Sequence, residues 1–508
     1  MMRQMLDNLQ KRPLLLLSLF LAASAVLFLP VINRNFGSDD FSVLYRDVYG
    51  QSLFTKDFFR PLSDITLYMS YLMGGFNPIY YNLFNIALHA ACCSMLFYFC
   101  LMDNGIAVKH RYSFACFSAV LFLIYPFHNE SIVWVLGRAS MTSCFFGFLS
   151  LIIAFSDIST ARKNVFSPLS YFIGLSGYET ILPLPAIILL LHYRKGISVR
   201  HLISTGTFYA IALAVNMGIR YRISGVIYGN YGARMFEPSV KRYLLNLFKV
   251  AGRLFLPPTN TSSILIFFSV LGIIAFGLLT IAFSRSDKIE FQSYIKLTFS
   301  VLLSVIIPVL FGVSTRTYEG DRLFYFASFF LCMWIAYAAD YVSLCRAGWL
   351  IKPLIAIFFL FFFYQSLFTW KKAGEITTSI ISDIRSINRD SGKLFLINLP
   401  EEYNGAQILR SGLGEALLIN KIDTTAIIIV NHLSSEYALK VSGQIKPEFV
   451  NSQNLYIPPA TIISKNLIQA KLWSLSTDND STHQQYNSNT DKIYYWNKKS
   501  LVLLSYTF

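Results

Sequence analysis

Two adjacent carboxylates, Asp39 and Asp40, follow the first apolar stretch of the chain, in Asn35-Phe36-Gly37-Ser38-Asp39-Asp40-Phe41. A carboxylate beside an acceptor hydroxyl can take its proton, and a pair of them can supply oxygen ligands to Mg²⁺ or Mn²⁺. The chemistry open to the pair is therefore base catalysis, with or without a metal. A solvated loop that only ends a helix would use the same residues. Asp40, next to Phe41, is the better placed of the two for packing against an apolar core.

Three further polar clusters interrupt apolar sequence. The first holds His128, Glu130, Trp134 and Arg138. A helix starting near Glu130 would carry Trp134 and Arg138 on the same face, one and two turns on. Arg138 then lies at membrane depth, where an ionisable group faces a cavity or pairs with an acid. Glu179 breaks a second apolar run, in Gly177-Tyr178-Glu179-Thr180 with Pro183 following, as polar residues lining a cavity do. Arg316, Glu319, Asp321, Arg322 and Tyr325 form the third cluster. An arginine fork there can hold a phosphate or build an ion-pair network. Asn85 and His89, one turn apart in an apolar stretch, read as a helix–helix hydrogen bond more readily than as a catalytic dyad. No Walker loop, GxSxG elbow or HExxH motif occurs.

The elements that must position these groups are membrane helices. The 508-residue chain is 54% hydrophobic and only 14% charged, with apolar runs long enough to cross a bilayer. We read an α-helical polytopic membrane protein of about eleven spans. They lie near 13–31, 78–102, 112–127, 131–155, 166–177, 179–193, 201–219, 262–283, 292–312, 322–343 and 350–369. The first lacks a small-residue cleavage site and reads as a retained span. The net charge of +15 follows from basic loops, not from a nucleic-acid partner. With Arg3, Lys11 and Arg12 in the cytoplasm, Lys109, Arg111, Arg162, Lys163, Arg194, Lys195, Arg200, Arg285, Lys288, Arg346 and Lys352 fall on the same side. The acids and the C-terminal region then face outward.

One outer segment breaks this charge rule: Arg220 to Arg253, with Arg222, Arg234, Lys241, Arg242 and Lys249 against the single acid Glu237. Its apolar spacing predicts an amphipathic helix over 238–256 lying in the outer interface, suited to a lipid phosphate or an anionic lipid surface. After Trp370 the composition turns polar, and 371–508 reads as a small α+β soluble domain. Lys393–Pro400 and Thr425–Asn431 read as strands, with a helix around Ala406–Asn420 between them. Ile493–Trp496 and Leu501–Ser505 read as a final hairpin, and Asp478–Thr490 as a mobile loop. The seven cysteines have no metal-type spacing and read as small core residues. No repeat of 20–50 residues is present.

Asp39-Asp40 after the first span, then Arg60-Pro61-Leu62, Gly75-Phe76-Asn77-Pro78, Asn85 and His89, resemble the first outer loop (here 33–77) of GT-C glycosyltransferases. The likeness is to the O-mannosyltransferase-like branch whose animal members carry tetratricopeptide repeats. His128-Asn129-Glu130, Trp134 and Gly137-Arg138 resemble that branch's HPxHxE…W…GR stretch. Tyr178-Glu179 with Pro183 resembles its KE…P turn, and Asp321-Arg322 with Tyr325 its DR…Y segment. Phe127 stands in place of the proline, Tyr178 in place of the lysine, and the repeats are missing, which argues for a bacterial enzyme.

The resemblance implies a GT-C-like membrane domain over 1–370. It implies transfer from a polyprenyl-phosphate sugar on the non-cytoplasmic face of an inner membrane, with inversion. Asp39 or Asp40 would be the base, and ligands of a metal if one takes part. Arg60, Arg138, Arg242, Lys249, Arg253, Arg316 and Arg322 would bind the donor phosphate or lipid. His89, His128, Glu130, Trp134, Glu179, Glu319, Asp321 and Tyr325 would line an acceptor cavity. The acceptor would be a glycan such as O-antigen or lipid A, or alternatively a protein. A lipid-linked-sugar flippase and a glycan polymerase or ligase are the rival classes; a flippase should show inverted repeats, which this chain lacks.

Overall fold

A computed structural model describes residues 13–50, 59–193, 198–225, 239–259, 262–342, 350–387, 392–430, 432–433, 446–451, 454–457, 471–476, 484–485 and 490–504. The basic residues Arg3, Lys11, Arg12, Arg194, Lys195, Arg234 and Arg346, with Glu237, Cys345, Ser505 and most of 478–490, lie outside these residues. The chain divides into two compact units. One comprises Met1–Asn33 and Gln51–Phe368; the other comprises Arg34–Gly50 and Thr369–Phe508. The acid pair groups with the C-terminal residues.

In the first unit every one of the predicted apolar stretches contains helix. They are α1 (Pro13–Leu27), α4 (Pro78–Leu101), α5 (Arg111–Leu123), α7 (Arg138–Phe155), α8 (Thr160–Leu175), α9 (Leu184–His192), α10 (Val199–Ser224), α12 (Ser262–Ser284), α13 (Lys288–Ser304), α15 (Phe324–Val342) and α16 (Ile351–Ser386). Among the described residues, 7 helices are long and apolar enough to cross a membrane alone, or up to 8 if the bent pair Arg111–Leu123 and Pro126–Val133 is one span. Between the spans lie α2 (Asp39–Tyr49, in the second unit), α3 (Pro61–Gly74), α6 (Asn129–Val133), α11 (Val240–Arg253) and α14 (Ile306–Phe311).

Local signals explain where helices start. Pro61 and Pro78 occupy first-turn positions where a missing N–H costs nothing. The Asn77 side chain caps α4 by accepting from Ile79 N–H at 3.1 Å. Burial separates interior from lipid-facing spans: 89% of the Asp321–Val342 window is buried, against 6% for Ile266–Ser284. The first lies in the interior of the unit; the second leaves most of its apolar window exposed. Where α7 meets α8 the contact is small and polar, with Ser150 Oγ–H donating to Ser167 O at 2.7 Å.

The segment after α5 departs from expectation. The chain bends by 54° at residues 124–125, and α6 lasts only from Asn129 to Val133. Trp134 is extended, a 3₁₀ turn covers Val135–Gly137, and α7 begins at Arg138. Glu130, Trp134 and Arg138 therefore share no helix face. The turn is tight because a Cβ on Gly137 would stand 2.4 Å from Glu130 O, so only glycine allows the two backbones to meet.

The described strands of the second unit are β1 (Leu394–Ile397), β2 (Leu399–Pro400), β3 (Glu402–Tyr403), β4 (Ala406–Gln407), β5 (Ile427–Ile429), β6 (His432–Leu433), β7 (Glu448–Asn451), β8 (Asn454–Ile457), β9 (Lys471–Ser476), β10 (Gln484–Gln485), β11 (Lys492–Trp496) and β12 (Leu501–Leu503), and one sheet runs in the order β12-β11-β1-β5. β1 is parallel to both β5 and β11, while β11 and β12 form the predicted antiparallel hairpin. Phe395, Ile397, Ile493, Tyr495 and Leu504 make its core. A short hairpin of β3 (Glu402–Tyr403) and β4 (Ala406–Gln407) stands where helix was expected. Asn404 and Gly405, at φ 53° and 87°, form the tight turn that an Asn-Gly pair favours. The helix, α17, is confined to Leu413–Ile419.

In this unit Asp47 on α2 is buried with one oxygen, Oδ1, held by Arg46. Burial raises its carboxyl to about 6, opposed by the Arg46 guanidinium. A raised carboxyl stabilises the fold below its unfolded value near 4 and loses that contribution as pH climbs through 6. Asp47→Asn should therefore raise the melting temperature at pH 8 and leave it unchanged at pH 4. Thermal unfolding of the detergent-solubilised chain at both pH values measures this.

Candidate active site

The membrane unit gathers three acid–arginine groups at the start of α7. Glu130, fully buried, accepts Arg322 N–H on Oε2 at 2.8 Å and the Arg322 guanidinium on Oε1. Arg322 lies over the Trp134 ring, 5.0 Å from its centroid, with 23% of its side chain exposed. Beside it Asp321 pairs with Arg253 at 2.5 Å, both sealed from solvent. Arg253 also donates to Ser314 O and Leu256 O, so all three of its nitrogens are engaged.

The third group lies around Glu179. Its Oε1 meets Arg220 at 2.5 Å and its Oε2 meets Arg60 at 3.6 Å, while Arg60 stacks over the Tyr178 ring at 4.3 Å. One acid thus faces two cations. Arg60 keeps 22% of its side chain exposed.

The first turns of α7 tie these groups together. Ser140 Oγ–H donates to Arg322 O at 2.9 Å, and Ser143 Oγ–H to Tyr178 O at 2.8 Å. Arg138, fully buried, donates to Asn85 Oδ1 at 2.6 Å, Thr66 O at 2.7 Å, Ser70 Oγ at 2.9 Å and Tyr81 O at 2.9 Å. It is a brace between α3, α4 and α7. Arg138 and Arg253 are thus committed to internal partners, which corrects their expected role as phosphate ligands: burial of a guanidinium demands that its donors be filled.

His89, His128 and Tyr325 are interior as well. His89 Nδ1 bonds Tyr325 Oη at 2.8 Å, His128 Nδ1 bonds Ser328 Oγ at 2.9 Å, and the two imidazoles meet edge-on at 5.2 Å. They pin α4 and the bent segment to α15. Asn85, joined to Ile132 O and Arg138, is likewise a helix–helix tie. Arg316 is exposed and Glu319 half-buried in the turn before Asp321.

On α11, Asn246 and Arg253 are buried, Arg242 and Lys249 are half-buried, and Leu244, Leu247 and Phe248 are exposed. The helix therefore shows its apolar face outward, as a helix lying against lipid does. Arg220, fully buried at the end of α10, escaped notice as a site residue; an arginine closing an apolar span was its signal.

In the second unit the acids occupy a tight turn. Asp40 N–H donates to Gly37 O at 3.2 Å, and Ser38 holds φ 51°, ψ −119°, the first central position of a type II′ turn where glycine is usual. Asp40 is fully buried; its Oδ2 accepts Gly37 N–H at 3.0 Å. It lies in the field of buried Arg34, whose guanidinium burial draws down to about 10 against the opposing pull of Asp40. Asp39 is half-buried, with Oδ1 accepting from Ser38 Oγ at 3.3 Å and from Ser411 Oγ. Asp40 packs into the core, and Asp39 is the accessible acid. No group of three or more His, Cys, Asp or Glu is close enough for a metal among the described residues.

No protein-family model matches the chain. Over 94 residues (18% of this chain, 10% of the relative) it is 31% identical to human protein O-mannosyl-transferase TMTC1. Over 112 residues it is 30% identical to Xenopus laevis protein O-mannosyl-transferase tmtc2, covering 22% and 12%. The chain is similar to protein O-mannosyl-transferases. The Drosophila melanogaster relative Tmtc1 matches over 142 residues at 28% identity. The chain spans only about a tenth of the length of the first two relatives. Among solved structures, ArnT from Cupriavidus metallidurans bound to undecaprenyl phosphate aligns at TM-score 0.44 and 11% identity, covering 84% of this chain and 91% of that one. The apo form aligns at TM-score 0.35 and 12% identity, covering 82% and 86%.

Proposed function

We propose that this chain is an integral-membrane glycosyltransferase that moves a sugar from a polyprenyl-phosphate donor to a glycan acceptor. The observation that carries the reading is the gathering of Glu130–Arg322, Asp321–Arg253 and Glu179–Arg60–Arg220 around the first turns of one membrane helix. A bilayer protein does not hold this density of charge for stability alone, because burying ions costs more than their pairing returns. Arg60 and Arg322, each partly exposed and each backed by an aromatic ring, are the arginines best suited to a lipid phosphate. The sequence likeness to O-mannosyl-transferases supports the same class.

Roles divide by chemistry. Asp39 is the base: it takes the acceptor hydroxyl proton as that oxygen attacks the anomeric carbon. The bond from that carbon to the phosphate oxygen breaks, and the electron pair leaves with the lipid phosphate, whose charge arginines meet. The product is inverted at the anomeric carbon.

The basic loops with Lys109, Arg111, Arg162, Lys163, Arg200, Arg285 and Lys288 favour a cytoplasmic side opposite the acids and the C-terminal unit. The membrane is a bacterial inner membrane, and the acceptor a periplasmic glycan such as O-antigen or lipid A.

Membranes carrying the protein, supplied with a panel of polyprenyl-phosphate sugars, should release free polyprenyl phosphate and glycosylate one acceptor. Surface glycans measured by mass should lose one sugar when the chain is removed. Unchanged glycans with a redistributed lipid carrier would replace this reading with a flippase. A polyprenyl pyrophosphate product would replace it with a polymerase or ligase.

A further inference from the structure

We infer that Ser411 is a positioning residue for the transfer reaction, and that the C-terminal unit serves to hold the Asp39 carboxylate in one orientation. The inference rests on the reading of Asp39 as the base. Four contacts, all within the second unit, carry it. Ser38 N–H donates to Ile408 O at 2.7 Å. Ser411 N–H donates to Ser38 Oγ at 3.2 Å. Ser38 Oγ–H and Ser411 Oγ–H both donate to Asp39 Oδ1. The other carboxylate oxygen, Oδ2, carries no protein hydrogen bond among the described residues.

Two donors on one oxygen fix the rotamer of a side chain that would otherwise turn freely at a helix start, and leave the second oxygen for a proton. The backbone is committed to the same end. Ser38 holds its positive φ without being glycine, a conformation that persists only where surroundings over-determine it. Gly412 at φ 74° comes so close that a Cβ there would stand 2.6 Å from Ser38 O. The residue here is serine, and its hydroxyl receives the Ser411 amide.

The test uses the full chain in detergent or membranes, with Ser411→Ala, Ser411→Thr and Asp39→Asn assayed for kcat, KM for the lipid donor, and melting temperature. The expected result is an Asp39→Asn slowed about 10²- to 10⁴-fold. Ser411→Ala should fall about 10- to 100-fold in kcat with donor KM and melting temperature unchanged. Ser411→Thr, which keeps the hydroxyl, should return to within about threefold of the parent. Adding Ser411→Ala to Asp39→Asn should cost nothing more, because the two act as one unit.

Full activity in Ser411→Ala beside a slowed Asp39→Asn overturns the inference and leaves the base assignment standing. A loss that tracks melting temperature and is not restored by threonine overturns it too, since that marks a purely structural contact. Full activity in Asp39→Asn overturns the base assignment itself, and the inference with it.

Discussion

Asparagine at Asp39 lowers transfer by about 10²- to 10⁴-fold, the range that a positioned general base contributes, and leaves thermal unfolding nearly unchanged. The amide keeps the size of the carboxylate and can still accept the Ser38 and Ser411 hydroxyls on its oxygen. What it cannot do is take a proton from an incoming hydroxyl. The neighbouring acid should respond in the opposite manner. Asp40 is fully buried and accepts the Gly37 N–H, so Asp40→Ala strands a donor and costs about 1–3 kcal/mol of stability. Turnover at saturating donor, read beside melting temperature, separates the two. If Asp39→Asn stays active, the catalytic assignment is lost. If Asp40→Ala alone abolishes turnover with its stability intact, the roles of the two acids are reversed.

The largest stability effect is expected at Asp321. Removing it as Asp321→Ala leaves Arg253, fully buried, with its charge uncompensated, at a cost of about 3–5 kcal/mol. Two carbonyl oxygens still meet the guanidinium, but they carry only partial charge. Asp321→Leu combined with Arg253→Met should recover most of the loss, because a well-packed apolar pair in a membrane bundle carries no desolvation penalty. Unfolding in detergent measures both. A single variant as stable as the parent would show that the pair is more hydrated than its burial indicates.

The helices were legible because apolar length is a strong signal: each stretch from 13–31 to 350–369 contains one. The final hairpin was legible from its polar turn, where Asn497 Oδ1 accepts from Lys499 and Ser500 N–H. The 130–138 turn was hidden by its own composition. Ile132, Val133, Val135 and Leu136 read as helix, and only the backbone contact at Gly137 shows why the chain cannot continue one. The β3–β4 hairpin turns on Asn404-Gly405, whereas the apolar positions that follow read as helix from Ala406 on. In the candidate site, Glu130 and Arg322 were each visible as polar outliers, yet their pairing spans 192 residues and no local pattern encodes it. Ser411 carried no signal at all. A serine in a loop becomes meaningful only when folding brings an acid to it.

Ser38 and Ser411 are 373 residues apart, and this separation sets an order of events during synthesis. At about 5–20 residues per second, the acid turn emerges roughly 20 to 75 seconds before the segment that completes it. During that interval the membrane helices are threaded one after another while Asp39 lacks its Ser411 partner. The turn therefore closes late. A chain interrupted anywhere before Ser411 carries the acid turn without the hydroxyl that bonds Asp39.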